Sequence, residues 1–202
     1  MGLNKILENN RKPIGAWGRF WARGMNLGHS FMAQWGMKQL QWKKNWTVLD
    51  VGCGGGANLK RLLKRCPQRE VYGIDISPVS VSISIKNNLT HIGSRCFVQE
   101  GSVEALPYED ERMNVVTAFE TIYFWPQINR SFGEVYRVLK PGGRFMVIQD
   151  CTDPDGKPWT KYISKKKIYT LEEITGLMTE AGFTAVDVRK GRGERACIIG
   201  TK

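Results

Sequence analysis

Residues 47–56 read TVLDVGCGGG: an apolar, β-branched run enters four glycines within five positions. The apolar residues are continuous rather than alternating, which marks a strand buried on both faces, as in a parallel sheet. Glycine has no Cβ, so it admits positive φ and lets a ligand come close to the backbone. A stiff strand that ends in such a loop predicts a helix behind it and a ligand across its tip.

The remainder of 47–200 continues that alternation. A helix is expected from about Ala57, with Leu59, Leu62 and Leu63 on one side and Lys60, Arg61, Lys64 and Arg65 on the other. EVYGID, RCFVQE, MNVVTAF and GRFMVIQD read as further strands. Ser77 caps and Pro78 opens a helix through PVSVSISIKNNL. A helix over about 127–139 is expected to end at KPGG, and another over about 171–181 at Gly182. FTAVDVR and ERACIIG form a closing hairpin across Lys190–Gly193. Five strands alternating with helices predict an α/β, Rossmann-like, mostly parallel sheet covered on both faces.

Two parts fall outside that pattern. Residues 1–46 hold five of the seven tryptophans and read as an N-terminal helical cap, with SFMAQWGMKQLQW helical, Ser30 capping it and Phe31 and Trp35 facing inward. Residues 151–169, CTDPDGKPWTKYISKKKIY, are rich in turn residues and lysine. They are too long for an ordinary connection and read as a lid-like insertion in a domain spanning 47–202.

Charge and cysteine usage narrow the setting. The net charge of +11 is concentrated at the ends: +7 over 1–46 and +4 over 189–202, with 47–188 neutral. An anionic partner at the basic termini is one expectation; a solubilising surface is the other. The five cysteines are odd in number, widely spaced and free of C-x-x-C, which suits reduced thiols in a cytoplasmic protein rather than a disulfide or zinc framework. No run of about 18 apolar residues is present, so no transmembrane segment is expected. The N-terminus lacks the apolar core of a signal peptide, and Ile6 breaks the myristoylation pattern.

GCGGGA satisfies the dinucleotide fingerprint through Gly52, Gly54 and Ala57. Asp75 stands at the end of the second strand, where a carboxylate can accept from ribose hydroxyls. This pattern alone does not separate a nicotinamide enzyme from another nucleoside binder. Taken together, VLDVGCGGG, VYGIDIS, GSVEALPYED, NVVTAFETIYFW and VLKPGGRFMVIQD, in that order and spacing, resemble the class I S-adenosylmethionine-dependent methyltransferases over about 47–200.

The resemblance implies a seven-stranded sheet with an antiparallel last strand, and S-adenosyl-L-methionine as cofactor, leaving S-adenosyl-L-homocysteine. It implies that Gly52, Cys53 and Gly54 pass beneath the methionine part, that Asp50 orients its ammonium or the loop, that Asp75 binds both ribose hydroxyls and that Ile76 packs on adenine. Ser102 and Val103 take the positions that meet the adenine edge; Ser102 stands where many relatives have Asp, with a hydroxyl still able to bond the amine. Phe119 and Glu120 face the amino group and the reacting centre. No metal is implied.

For the acceptor, His29 in MNLGHS is a candidate base or contact, and otherwise a capping or packed histidine. Glu120 binds the ammonium or acts as a base. Tyr123 and Trp125 in ETIYFWP orient an acceptor or pack the core. The expected activity is in-line methyl transfer to O, N or S of a small molecule. The alternatives are an RNA or protein methyltransferase, or a non-catalytic S-adenosylmethionine-binding protein. Cys53 inside the loop and the scatter of the other thiols speak against arsenite methylation.

Overall fold

The computed structural model describes residues 30–150, 152–153 and 167–202. Seven strands form one sheet: β1 (Val48–Val51), β2 (Val71–Asp75), β3 (Cys96–Glu100), β4 (Met113–Phe119), β5 (Leu139–Gln149), β6 (Ala185–Lys190) and β7 (Ala196–Thr201). Their order is β3-β2-β1-β4-β5-β7-β6. β1 to β5 are parallel, and β7 runs antiparallel between β5 and β6. The strand order reverses between β1 and β4, so the tips of those strands border the switch-point crevice in which such sheets bind ligands.

The helices are α1 (Ser30–Met37), α2 (Ala57–Arg65), α3 (Pro78–Asn87), α4 (Ile128–Val138) and α5 (Leu171–Glu180). α2 buries Leu59, Leu62 and Leu63 and leaves its four cations outward. Each leucine so buried contributes about 2 kcal/mol. α3 starts at Pro78, with the Ser77 hydroxyl accepting from the Ser80 N–H at 3.3 Å. α5 opens with a capping box: Thr170 Oγ1 accepts from Glu173 N–H, and the Glu173 carboxylate accepts from Thr170 N–H. It stops before Gly182, which holds φ +103°.

One core lies on the α4–α5 side of the sheet, where Trp125, Phe132, Phe145 and Phe183 pack ring against ring. The other lies on the α1–α2 side and joins Met32, Ala33 and Met37 to Val48, Leu59, Leu62, Ile148 and Cys197. The described part of the N-terminal region, 30–46, therefore shares a core with the sheet. A Cβ on Gly36 would stand 2.6 Å from the Ile148 side chain, so α1 sits directly on β5.

Three local expectations need correction. Phe31 does not face inward; it is 81 % exposed, and the buried residues of α1 are Met32, Ala33, Gly36 and Met37. Ser30 lies inside α1 and bonds the Arg61 guanidinium at 2.6 Å rather than capping the helix. KPGG does not end α4, which stops at Val138; β5 begins at Leu139 and bulges through Pro141–Gly143, so its pairing with β4 jumps from Leu139 to Arg144.

Candidate functional site

The glycine loop is tied down before any ligand is considered. The N–H groups of Gly52 and Cys53 both bond the Ile74 carbonyl, at 2.8 and 3.1 Å. Gly52, Gly54 and Gly56 hold φ of +71°, +53° and +77°. A Cβ on Gly52 would stand 2.3 Å from Thr121 Oγ1, and one on Gly56 would stand 2.3 Å from Ser84 Oγ. A Cβ on Gly54 would meet nothing within 4 Å. Gly52 and Gly56 are therefore glycines for packing, whereas Gly54 borders open space.

Asp75 at the tip of β2 closes over this loop. One carboxylate oxygen accepts from Gly54 N–H at 2.8 Å and the other from Ser77 N–H at 2.9 Å. Burial holds this carboxyl above the usual carboxylate range, and the two backbone donors offset only part of that rise. Each oxygen accepts one backbone donor and keeps acceptor capacity for a hydroxyl. Ile76 beside it is 42 % exposed, an apolar side chain at the rim of the crevice.

Asp50 lies deeper, 2 % exposed, accepting from Thr117 Oγ1 of β4 at 2.7 Å. Burial pushes its carboxyl up to about 7 against the Thr117 hydrogen bond, and the neighbouring Asp75 charge adds to the rise. Cys53 is also buried, and its thiol is pushed well up by burial and then by the two aspartates. Such a thiol is a packed side chain rather than a nucleophile. Ser102 and Val103 follow β3 beside Asp75, since Gly101 N–H bonds the Asp75 carbonyl. Val103 is buried, and the Ser102 hydroxyl accepts from Glu104 N–H at 3.2 Å.

An open approach at Gly54, a carboxylate with spare acceptor capacity and an apolar rim residue together fit a nucleoside. A buried acid behind the loop suits a cationic part.

The tip of β4 is organised around Glu120. This residue holds φ +53°, an uncommon backbone for a side chain of its size. Its N–H bonds the Ile148 carbonyl at 2.9 Å. One carboxylate oxygen accepts from the Asp150 N–H, and the other from the Tyr123 hydroxyl at 2.8 Å. Phe119 and Tyr123 are nearly buried. Trp125 stands in the core, stacked on Phe145 with its indole N–H on Thr121 Oγ1 at 3.3 Å.

The predicted residues thus fall into two groups: Asp50, Gly52, Cys53, Gly54, Asp75, Ile76, Ser102 and Val103 at the tips of β1 to β3, and Phe119, Glu120 and Tyr123 at β4. Thr121 joins them, because Gly52 packs on it and Trp125 bonds it. His29 and most of 151–169 lie outside the described residues. Sequence reading missed the β5 tip. Gln149 is fully buried, and neither its amide oxygen nor its nitrogen has a hydrogen-bond partner among the described residues. A glutamine ending an apolar strand was the only signal.

Comparison with known proteins adds a separate line of support. Residues 49–147 match the family of methyltransferase domains. The chain is 30 % identical over 149 residues to an arsenite methyltransferase of Halobacterium salinarum, covering 70 % of this chain but 38 % of that protein. It is 26 % identical to YdaC, an uncharacterised methyltransferase of Bacillus subtilis, covering 77 % of this chain and 81 % of that one. A structure of an S-adenosylmethionine-dependent methyltransferase from Aquifex aeolicus shares the fold, with a TM-score of 0.76 at 19 % identity over 91 % of this chain and 97 % of that one. The loop, the carboxylate that closes it, the strand order and these matches converge: the chain belongs to the class I S-adenosylmethionine-dependent methyltransferase family.

Proposed function

We propose that the protein transfers a methyl group from S-adenosylmethionine to a nucleophilic O, N or S of a small molecule. The observation that carries the reading is the Asp75 clamp over Gly54, with open space above that glycine and Ile76 exposed beside it. When bound, the cofactor supplies an electrophilic methyl on a sulfonium, so the protein has mainly to position the acceptor and exclude water. Asp75 holds the ribose hydroxyls, Ile76 covers adenine, and Ser102 and Val103 border its edge. Gly52, Cys53 and Gly54 admit the methionine part, and buried Asp50 complements its positive charge. Phe119 shapes the wall at the reacting centre.

Glu120 is held from two sides, by the Asp150 N–H and the Tyr123 hydroxyl. That arrangement favours orienting the ammonium or acceptor over proton removal. Tyr123 positions Glu120, and His29 remains a candidate acceptor contact.

The relative from Halobacterium salinarum is named for arsenite. Arsenic chemistry runs through accessible thiolates, whereas Cys53, Cys66, Cys96 and Cys197 are all buried, and burial pushes Cys66 and Cys96 up to about 11 and Cys197 to about 12. Among the described residues, these buried thiols favour an O, N or S acceptor over arsenite. The basic ends suit an anionic partner, and the reduced thiols suit a cytoplasmic setting.

Methyl-labelled cofactor incubated with a metabolite panel, a pool of RNA and a protein extract tests the reading. Label appearing in a small molecule supports it. Label appearing only in RNA or protein moves the assignment to that alternative, and binding without label transfer to any class makes the protein a non-catalytic binder.

A further inference from the structure

The stretch 47–188 is neutral on paper, yet the fold separates its charges. Lys43, Lys44, Lys60, Arg61, Lys64, Arg65, Arg69 and Arg95 come from four segments that the fold brings together. Gln68 N–H bonds the Lys44 carbonyl at 3.0 Å, which seats the 43–44 turn against the end of α2. Arg95 reaches the Pro67 carbonyl at 3.1 Å, Arg65 reaches the Arg61 carbonyl at 3.2 Å, and Arg61 reaches Ser30 of α1.

Among the described residues none of these eight cations has an ion pair. Residues 51–69 and 88–95 contain no acid, nor do 30–49. The nearest acid in sequence, Glu70, makes no ion pair with any of them among the described residues. Burial and then the charge of Arg61 lower the Arg65 guanidinium, so these two neighbouring cations repel each other. Holding eight like charges on one face costs stability, and an anionic surface would offset that cost.

The chemistry at the edges of the face selects the partner. Phe31 follows Ser30, which bonds Arg61, and is 81 % exposed. Leu89 follows Asn88, whose amide bonds the Gly56 carbonyl at the start of α2, and is 70 % exposed. Trp42 and Trp46 are half-buried and pack edge to face, with the Lys43 ammonium 5.7 Å from the Trp46 ring. Polynucleotides satisfy cations but leave an aliphatic Leu89 in water. A bilayer interface takes cations at its headgroups and aromatic and aliphatic side chains just beneath.

We propose that the α2 face, rimmed by Phe31 and Leu89, docks this protein on an anionic lipid surface. None of the eight cations, nor Phe31 or Leu89, is among the residues assigned to the cofactor, so the two can be occupied together.

The test is co-sedimentation of the full chain with vesicles of phosphatidylcholine alone and with phosphatidylglycerol added. Binding is expected only with the anionic lipid, falling as salt rises. Lys60→Gln with Lys64→Gln should reduce partitioning about thirtyfold, taking about 1 kcal/mol for each surface charge. Phe31→Ser should reduce it further. Both variants should bind S-adenosylhomocysteine as the wild type does, since all three positions are exposed and none is assigned to the cofactor, and that readout also shows that they fold. Equal binding to neutral vesicles, or undiminished binding by the double variant, overturns the proposal. So does retention of an RNA oligomer with no retention of vesicles, which would assign the face to nucleic acid.

Discussion

The tips of β1 and β2 and the tips of β4 and β5 end at the same edge of one sheet but are built differently. The first pair is satisfied within itself: Asp75 takes two backbone donors, the loop hangs on Ile74, and two glycines fill gaps that no side chain could enter. The second pair carries strain and an unmet requirement: Glu120 at positive φ, and Gln149 buried with an amide that has no partner among the described residues. A family that keeps one donor and changes its acceptors needs a finished cofactor grip, while its acceptor side can depart from the stability optimum.

Substitutions can break that contrast, the largest effect coming from the loop. Gly52→Ala drives a Cβ into Thr121 Oγ1 at an unfavourable φ, and should cost about 3 kcal/mol or more in a urea melt, whereas Gly54→Ala, with open space around it, should cost about 1 kcal/mol. Equal losses would mean that packing does not distinguish the two glycines.

Asp50 gives the next effect, and it depends on pH. The folded carboxyl, pushed up to about 7, retains a proton that the unfolded chain gives up near the usual carboxylate value. Stability from this group is full below about pH 4 and is lost as pH rises through about 7. Wild type should therefore lose about 4 kcal/mol relative to Asp50→Asn across that window. Rising pH should also favour the cationic donor over the neutral product, and the Asn variant should show no such preference.

Asp75→Ala removes both hydroxyl acceptors and should weaken S-adenosylhomocysteine binding about a hundredfold, or ~3 kcal/mol, by calorimetry. Tyr123→Phe removes the hydroxyl that donates to Glu120 and should lower kcat about tenfold with a smaller change in cofactor affinity, as expected of a positioning residue. The smallest effect is a gain: Gln149→Met exchanges an unpaired buried amide for an apolar side chain and should stabilise the protein by about 1 kcal/mol in the same melts. A loss there would show that the amide has a partner.

The sheet was legible in the sequence because continuous apolar runs and glycine punctuation report local geometry. TVLDV, EVYGID and the C-terminal hairpin all fall where the residues place them. The glycine–Asp75 clamp was legible for the same reason, since its two parts sit at consecutive strand tips. α1 was misread at Phe31 because a single short helix offers more than one apolar stripe, and only the Ile148 contact at Gly36 fixes the rotation. The Asp150–Glu120–Tyr123 linkage depends on the register between β4 and β5, and the basic α2 face depends on which segments meet. Neither is written in any one stretch of residues.

Isothermal calorimetry on the purified protein tests the central claim most directly. Titrations with S-adenosylmethionine, S-adenosylhomocysteine and a nicotinamide dinucleotide should give saturable heat with the first two and none with the third. Heat with the dinucleotide alone would contradict the account.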